Sequence, residues 1–250
     1  MLNYSIIDGE GSAVVFLHGF LESISMWNCL PLDEINGKKI LIDLPGHGNS
    51  EMNLDFSNPS LSFFADEVLA VLNHLNVSHF SIVGHSMGGY VALIIKQQIA
   101  ACQKVVLLNS NFWSDSDQKK KDRIRVADIV FRAKKLFIKE SIPNLFGNPK
   151  NFQNQIDKLI NEASLMSPES IAYSSLAMRE RNDFTDEVNT NPKDYYIIQG
   201  IDDRLNSSHE MESKVSHKFN LFLIENVGHM AHIEANTKIM VLLRNIFNQP

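Results

Sequence analysis

Six residues, Gly84-His85-Ser86-Met87-Gly88-Gly89, constrain this chain more than any other stretch of it. They stand directly after the apolar run Phe80–Val83 (FSIV) and directly before a helical run that continues through Val91, Leu93, Ile94 and Ile95. A strand that becomes a helix in so few residues needs small neighbours two positions either side of the apex, which Gly84 and Gly88 supply, while Gly89 lets the helix start approach the strand. The apex, Ser86, is then held in a strained conformation with its hydroxyl projecting above the C-terminal edge of a sheet. The same turn aims the Met87 N–H, at a helix N-terminus, at the point where an oxyanion would form. A glycine-rich turn carrying a passive serine is the competing reading, and the strand-to-helix context argues against it.

The rest of the chain supplies the sheet. Short apolar runs recur at Ala13–Leu17, Lys39–Asp43, Phe80–Val83, Lys104–Leu108, Tyr195–Gln199 and Leu221–Ile224. Most are continuous rather than alternating, as expected of parallel strands covered on both faces. Asn3–Ile7 adds a candidate antiparallel edge strand, turned back by Asp8-Gly9-Glu10-Gly11. Helices are expected over Ser62–Leu75, Met87–Ile99, Ser207–Ser216 and Ile233–Phe247. With 250 residues, 44% of them apolar, one core suffices. Between Asn111 and about Asp186 the pattern is helical and polar without a convincing strand, which reads as an inserted cap or lid.

The hexapeptide, together with His18-Gly19-Phe20 and Asp43–Ser50 (DLPGHGNS), resembles the α/β-hydrolase superfamily, in its branch of small single-domain serine esterases and related lyases. The resemblance covers nearly the whole chain. It implies an α/β fold with a mostly parallel central sheet, helices on both faces and a helical cap inserted between strands: core 1–110 and 187–250, cap 111–186. It places the second oxyanion donor on the Phe20 N–H, beside that of Met87. It also orders the triad as serine, acid, histidine, and sets the acid three residues after the glycine that ends YYIIQG, which selects Asp203; spacing alone leaves Asp202 open. Leu205-Asn206-Ser207 departs from the family in lacking the proline often found there.

The base belongs after the last strand. His229 follows it in Val227-Gly228-His229, where a loop can carry an imidazole over the sheet edge, whereas His232 starts the final helix and is expected to pack or cap it. His229 would take the Ser86 proton, and Asp203 would hold the imidazole tautomer and stabilise the cation. His18 and His47 are expected to fix loops by hydrogen bonds.

Several residues bear on the substrate. Phe20, Met87, Phe112 and Trp113 follow strand ends that converge on Ser86, so they either line an apolar acyl pocket or pack the core; Trp27 is open to both readings. Lys119–Lys139 holds nine basic residues against Asp122 and Asp128. It reads as a solvated lid face with Ile124, Ala127, Val130, Phe131 and Phe137 turned inward. The sharper alternative is that some of these cations steer an anionic substrate. Arg181 and Asp183 match an R-x-D pattern of the family, expected to be an ion pair pinning the lid.

The expected function is hydrolysis of carboxylic esters with a small or medium acyl group. The alternatives are a lyase or thioester hydrolase acting on an anionic substrate with the same triad, resembling the menaquinone-pathway lyase, or a small-molecule receptor on the same fold. Epoxide hydrolases and haloalkane dehalogenases are disfavoured because they carry Asp where Ser86 stands. A formal charge of −6 argues against a nucleic-acid partner. The two cysteines, Cys29 and Cys102, suggest reduced core thiols. No metal or cofactor motif is present. Without a leader or a spanning apolar run, a cytoplasmic monomer or homodimer acting on a small-molecule ester, away from membranes, is the expectation.

Overall fold

The computed structural model describes residues 1–51 and 56–248. The apolar runs become β1 (Tyr4–Ile7), β2 (Ala13–Leu17), β3 (Lys39–Ile42), β4 (Phe80–His85), β5 (Cys102–Leu108), β6 (Tyr195–Gly200) and β7 (Leu221–Ile224). They form one seven-stranded sheet in the order β1-β3-β2-β4-β5-β6-β7, parallel except for β1. Successive side chains of a strand point to opposite faces. Val15, Leu17, Ile82, Val105 and Ile197 accordingly feed one core, and Val14, Phe16, Val83, Val106 and Ile198 the other. Both positions of each pleat are buried, so an uninterrupted apolar run is the sequence such a strand needs.

Helices α1 (Leu61–His74) and α2 (Met87–Gln98) cover the first face. The second is covered by the 3₁₀ segment Ile24–Cys29 and the C-terminal helices. Two expectations need correction here. The edge strand β1 pairs antiparallel with β3, Tyr4 opposite Ile42, so Asp8–Gly11 leads to a crossover and not to a hairpin with β2. The final helix is broken: Ala235 (φ −141°, ψ 40°) interrupts it. Cys102 is buried and Cys29 half-buried, and both are free.

Between β5 and β6 the chain forms only helices: α3 (Asp117–Ser141), α4 (Gln153–Leu165), α5 (Pro168–Arg179) and α6 (Thr185–Thr190). Helix α7 (Ser208–Lys214) then precedes β7, and α8 (Ala231–Glu234) and α9 (Asn236–Phe247) end the chain. A third apolar cluster lies under the cap, where Ala127, Val130 and Ile138 meet Leu21 and Met230 of the core. The inward face of α3 is narrower than expected. Ile124 and Phe131 are 45% and 55% exposed: the inner seam runs from Ala127 and Val130 to Ile138, past a kink at Ala133 (φ −143°, ψ 40°). Among the described residues no helix is long and apolar enough to cross a membrane.

The turn between β4 and α2 is packed backbone against backbone. A Cβ on Gly88 would stand 2.4 Å from the Leu17 carbonyl oxygen and 2.6 Å from that of His18. Leu17, the last residue of β2, cannot retreat without disturbing the parallel ladder. Gly88→Ala is therefore expected to destabilise the fold by roughly 3 kcal/mol, at the severe end for added bulk in a packed site. A thermal melt within a degree or two of the wild type would contradict the packing described.

Candidate active site

Four loops meet at the C-terminal edge of the sheet. The first is the elbow, where Ser86 takes φ 48°, ψ −114°, a left-handed conformation that costs a non-glycine residue energy. The surroundings hold it there: Ser86 N–H donates to Leu108 O (3.1 Å), and Ser110 Oγ donates to Ser86 O (2.7 Å). With α2 starting at Met87, the Met87 N–H is free of an intrahelical partner, as first-turn amides are.

The second loop follows β2. His18 Nε2 accepts from Leu44 N–H (2.9 Å), so its proton is on Nδ1, which donates to Gly19 O (2.8 Å). That bond fixes the plane of the Gly19–Phe20 peptide and hence the direction of the Phe20 N–H. A turn closes the loop, with Glu22 N–H donating to Gly19 O (3.3 Å) and Leu21 at φ 66°. His47 is likewise a loop residue: it is buried, its Nδ1 lies 3.0 Å from Pro45 O, and burial chiefly lowers its pKa to about 3, leaving it neutral.

The third and fourth loops, after β6 and after β7, bring Asp203 and His229 together. His229 Nδ1 lies 2.8 Å from Asp203 Oδ2, both side chains being buried. Asp202, one residue away, is exposed. Asp203 Oδ2 also accepts from Asn109 Nδ2 (3.0 Å) and Gln199 Nε2 (3.1 Å), and Oδ1 accepts from the Leu205 (2.8 Å) and Asn206 (3.2 Å) amides. Burial alone would raise the acid's pKa. His229 first, then these donors, outweigh it and bring the value to about 2, so Asp203 is an anion across the physiological range. Placement of His229 depends partly on the cap, since its N–H donates to Leu145 O (2.7 Å).

Ser86, His229 and Phe20 line one cavity of ≈390 Å³, whose walls also include Tyr90, Leu145 and Met178. Its far side is cap: Lys119, Asp122, Arg123, Val126, Phe137 and Ser141. Three residues expected in the acyl pocket are elsewhere. The Met87 side chain is fully buried in the core beneath α2. Phe112 packs into the same core, and Trp113 lines a separate depression with Lys214 Nζ 5.3 Å from its ring centre. The chain leaving β5 turns these two side chains down into the packing instead of up to the edge. Trp27 is also core, stacked edge-on against Phe16 at 5.2 Å.

The expected Arg181–Asp183 pair does not form. Arg181 is buried, ion-paired with Asp115, and lies 4.3 Å from the centre of the Tyr90 ring. It also donates to the carbonyls of Trp113 (3.0 Å) and Met178 (3.3 Å). Asp183 instead accepts from the Ser114 and Thr185 amides (3.3 and 2.9 Å). Arg123 shares Asp115 (3.1 Å), while Lys119 donates to Leu205 O (3.2 Å). Of the basic run, Lys119 and Arg123 reach the cavity; Lys120, Lys121, Arg125, Arg132, Lys134, Lys135 and Lys139 do not line it.

Asn109, Gln199, Glu22 and His85 escaped the sequence reading. Asn109 stands directly after β5 and Gln199 at the end of β6, so position at the sheet edge was a usable signal for both. Among the described residues no cluster of His, Cys, Asp and Glu could hold a metal ion.

Residues 14–240 match the profile of the alpha/beta hydrolase family. A dihydrolipoyllysine-residue acetyltransferase component of the acetoin cleaving system, from Pseudomonas putida, is 26% identical over 98% of this chain and 67% of its own length. A 2-succinyl-6-hydroxy-2,4-cyclohexadiene-1-carboxylate synthase from Salmonella agona is 34% identical over 42% of this chain and 39% of its own. Among solved structures, a thermophilic esterase from Thermogutta terrifontis, with malate bound, superposes with a TM-score of 0.87 at 26% identity, covering 98% of this chain and 94% of that one.

Proposed function

This chain belongs to the alpha/beta hydrolase family, and from that premise we propose that it is a serine hydrolase cleaving carboxylic esters of small or medium acyl groups. One observation carries the reading: an Asp203–His229 pair 2.8 Å apart, whose imidazole opens into the same cavity as a serine at a strained strand-to-helix turn. Ser86 Oγ attacks the ester carbonyl as His229 Nε2 takes its proton, and the oxyanion is met by the Phe20 and Met87 N–H groups. His229 returns the proton to the departing alcohol, leaving an acyl-enzyme. Water, activated by the same imidazole, then releases the acid and restores the serine. Asp203 keeps the proton of His229 on Nδ1 throughout. The cavity volume is near the low end for small-molecule sites, which suits a modest acyl group.

The test is labelling by a fluorophosphonate together with turnover of p-nitrophenyl esters of graded chain length. Labelling at Ser86 with turnover that peaks at short or medium chains supports the reading. Labelling without turnover of any ester would move it towards a receptor or a lyase.

Lys119 and Arg123 favour a second reading, in which the substrate of the same triad is anionic, an ester, a thioester or the substrate of a lyase. Arg123 already pairs with Asp115, whereas the Lys119 ammonium is held by a neutral carbonyl. A substrate carboxylate would replace that neutral acceptor with an anionic one, worth ~1.5 kcal/mol. Lys119→Met is therefore expected to lower kcat/KM for an ester bearing a terminal carboxylate about tenfold relative to its neutral analogue. An unchanged ratio would remove Lys119 as the selecting group.

A further inference from the structure

A second acid–histidine pair lies beneath the oxyanion loop, and the triad does not use it. Glu22 Oε2 stands 2.8 Å from His85 Nδ1 and accepts from the Gly19 N–H at 2.6 Å. His85 Nε2 stands 2.9 Å from the carbonyl oxygen of His229. Both side chains are buried, and both border the cavity. The pair is close enough to the nucleophile that a Cβ on Gly19 would fall 2.5 Å from Glu22 Oε2, 2.8 Å from His85 Nδ1 and 3.2 Å from Ser86 Cβ.

Taking the elbow, the Phe20 N–H and His229 as the working parts, we propose that Glu22 and His85 are positioning residues. As a carboxylate–imidazolium pair they tie the oxyanion loop, the elbow and the base loop into one rigid unit.

The hydrogen-bond inventory assigns the charges. A carbonyl oxygen can only accept, and so can an ionised carboxylate, so a His85 that satisfies both neighbours carries protons on both nitrogens. Glu22 Oε1 is buried without a protein partner. The carboxylate's charge is therefore balanced by His85 and the Gly19 amide alone, and a buried anion without its cation would cost several kcal/mol. Burial acts first and unfavourably on both groups, but the attraction between them prevails: it depresses Glu22 to about 2 and raises His85.

The other groups facing His85 do not compete. His232 packs at 4.9 Å between ring centres, with neither ring nitrogen partnered, and burial lowers its pKa to about 3. His18 is neutral because Nε2 accepts from Leu44. His229, 5.0 Å away ring to ring, is committed to Asp203. His85 is thus the fixed cation of the group, and its Nε2–H sets the main chain from which the catalytic imidazole hangs.

Two measurements test this. Ring ¹⁵N chemical shifts of the wild type should show His85 protonated on both nitrogens at neutral pH, and on one in Glu22→Gln, which keeps the shape and loses the charge. Fluorophosphonate labelling reads the geometry without needing the true substrate. Glu22→Gln and His85→Gln should each slow it ~10–100-fold, the loss expected of a small misplacement of reacting groups. The double variant should be no slower than the slower single, because both remove one unit. Glu22→Asp, which keeps the charge, should recover part of the rate. A neutral His85 beside a protonated Glu22 overturns the proposal, as does an unslowed Glu22→Gln or losses that simply multiply. If the variants do not fold, the wild type decides. The His85 cation persists below its raised pKa and disappears as pH rises through it, so labelling must fall in step with the ring's deprotonation, and a rate that ignores it overturns the proposal. A wild type that is never labelled marks the failure of Ser86 as nucleophile, a separate result, since the ring shifts are read regardless.

Discussion

On the proposed mechanism, Ser86→Ala is expected to lower ester turnover on the order of 10⁶-fold and to abolish fluorophosphonate labelling, with the protein melting at or slightly above the wild-type temperature. The size of the loss follows from the mechanism: without Oγ there is no acyl-enzyme, and only binding and the oxyanion donors remain to help water attack directly. The stability half of the expectation follows from packing. The backbone strain at Ser86 is imposed by Gly84, Gly88 and the Ser110 bond to the Ser86 carbonyl, none of which the substitution touches. Steady-state kinetics and a melt on the same preparation check both. A variant that keeps a tenth of its activity would place the nucleophile elsewhere.

Asp203→Asn is expected to produce the second largest effect, a loss of about 10⁴ in kcat with KM little changed. The amide can offer Nδ2–H where the carboxylate accepted, so the imidazole is driven to the tautomer that cannot take the Ser86 proton. The same substitution has a signature in stability. The Asp203 carboxyl titrates at about 2 in the folded chain against an ordinary 3.8. A depressed folded pKa means stability that is complete above the unfolded value and lost as pH falls through the folded one. The contribution is about 2 kcal/mol above pH ~4, declining to nothing near pH 2. The gap in Tm between wild type and Asp203→Asn should accordingly close across that window. A gap that stays constant would mean that Asp203 is not held as an anion by His229 and its amide donors.

Much of the fold was readable because parallel strands covered on both faces must be apolar at every position, and runs such as AVVFL and LFLI leave no other role. The elbow was readable for a different reason. Three glycines around one serine are explained by what a Cβ would meet there: backbone atoms at 2.4–2.6 Å for Gly84 and Gly88, and the Ser110 side chain at 2.3 Å for Gly89. What periodicity does not carry is partner choice. β1 leads into the DGEG turn in a way that fits a hairpin with β2, yet β3 takes the place between them. Arg181 stands two residues from Asp183 in sequence, but the buried Asp115 captures it. Phe112 and Trp113 leave a strand end that points at the site, and their rotation about the chain decides that they pack instead. Glu22 and His85 were invisible because nothing local ties residues 63 apart, and only the closed loops make them neighbours.

The bend at Ala133 has a consequence for how this protein could change its diet. Residues before it (Lys119, Arg123, Val126) and after it (Phe137, Ser141) wall the same cavity, so a single kinked rod supplies both its cationic and its apolar lining. If the substrate is anionic, as the second reading has it, tolerance for bulk and preference for charge are thereby coupled. Evolution or an engineer reshaping one by shifting that rod will drag the other along, and only replacement of side chains, one at a time, can tune them apart.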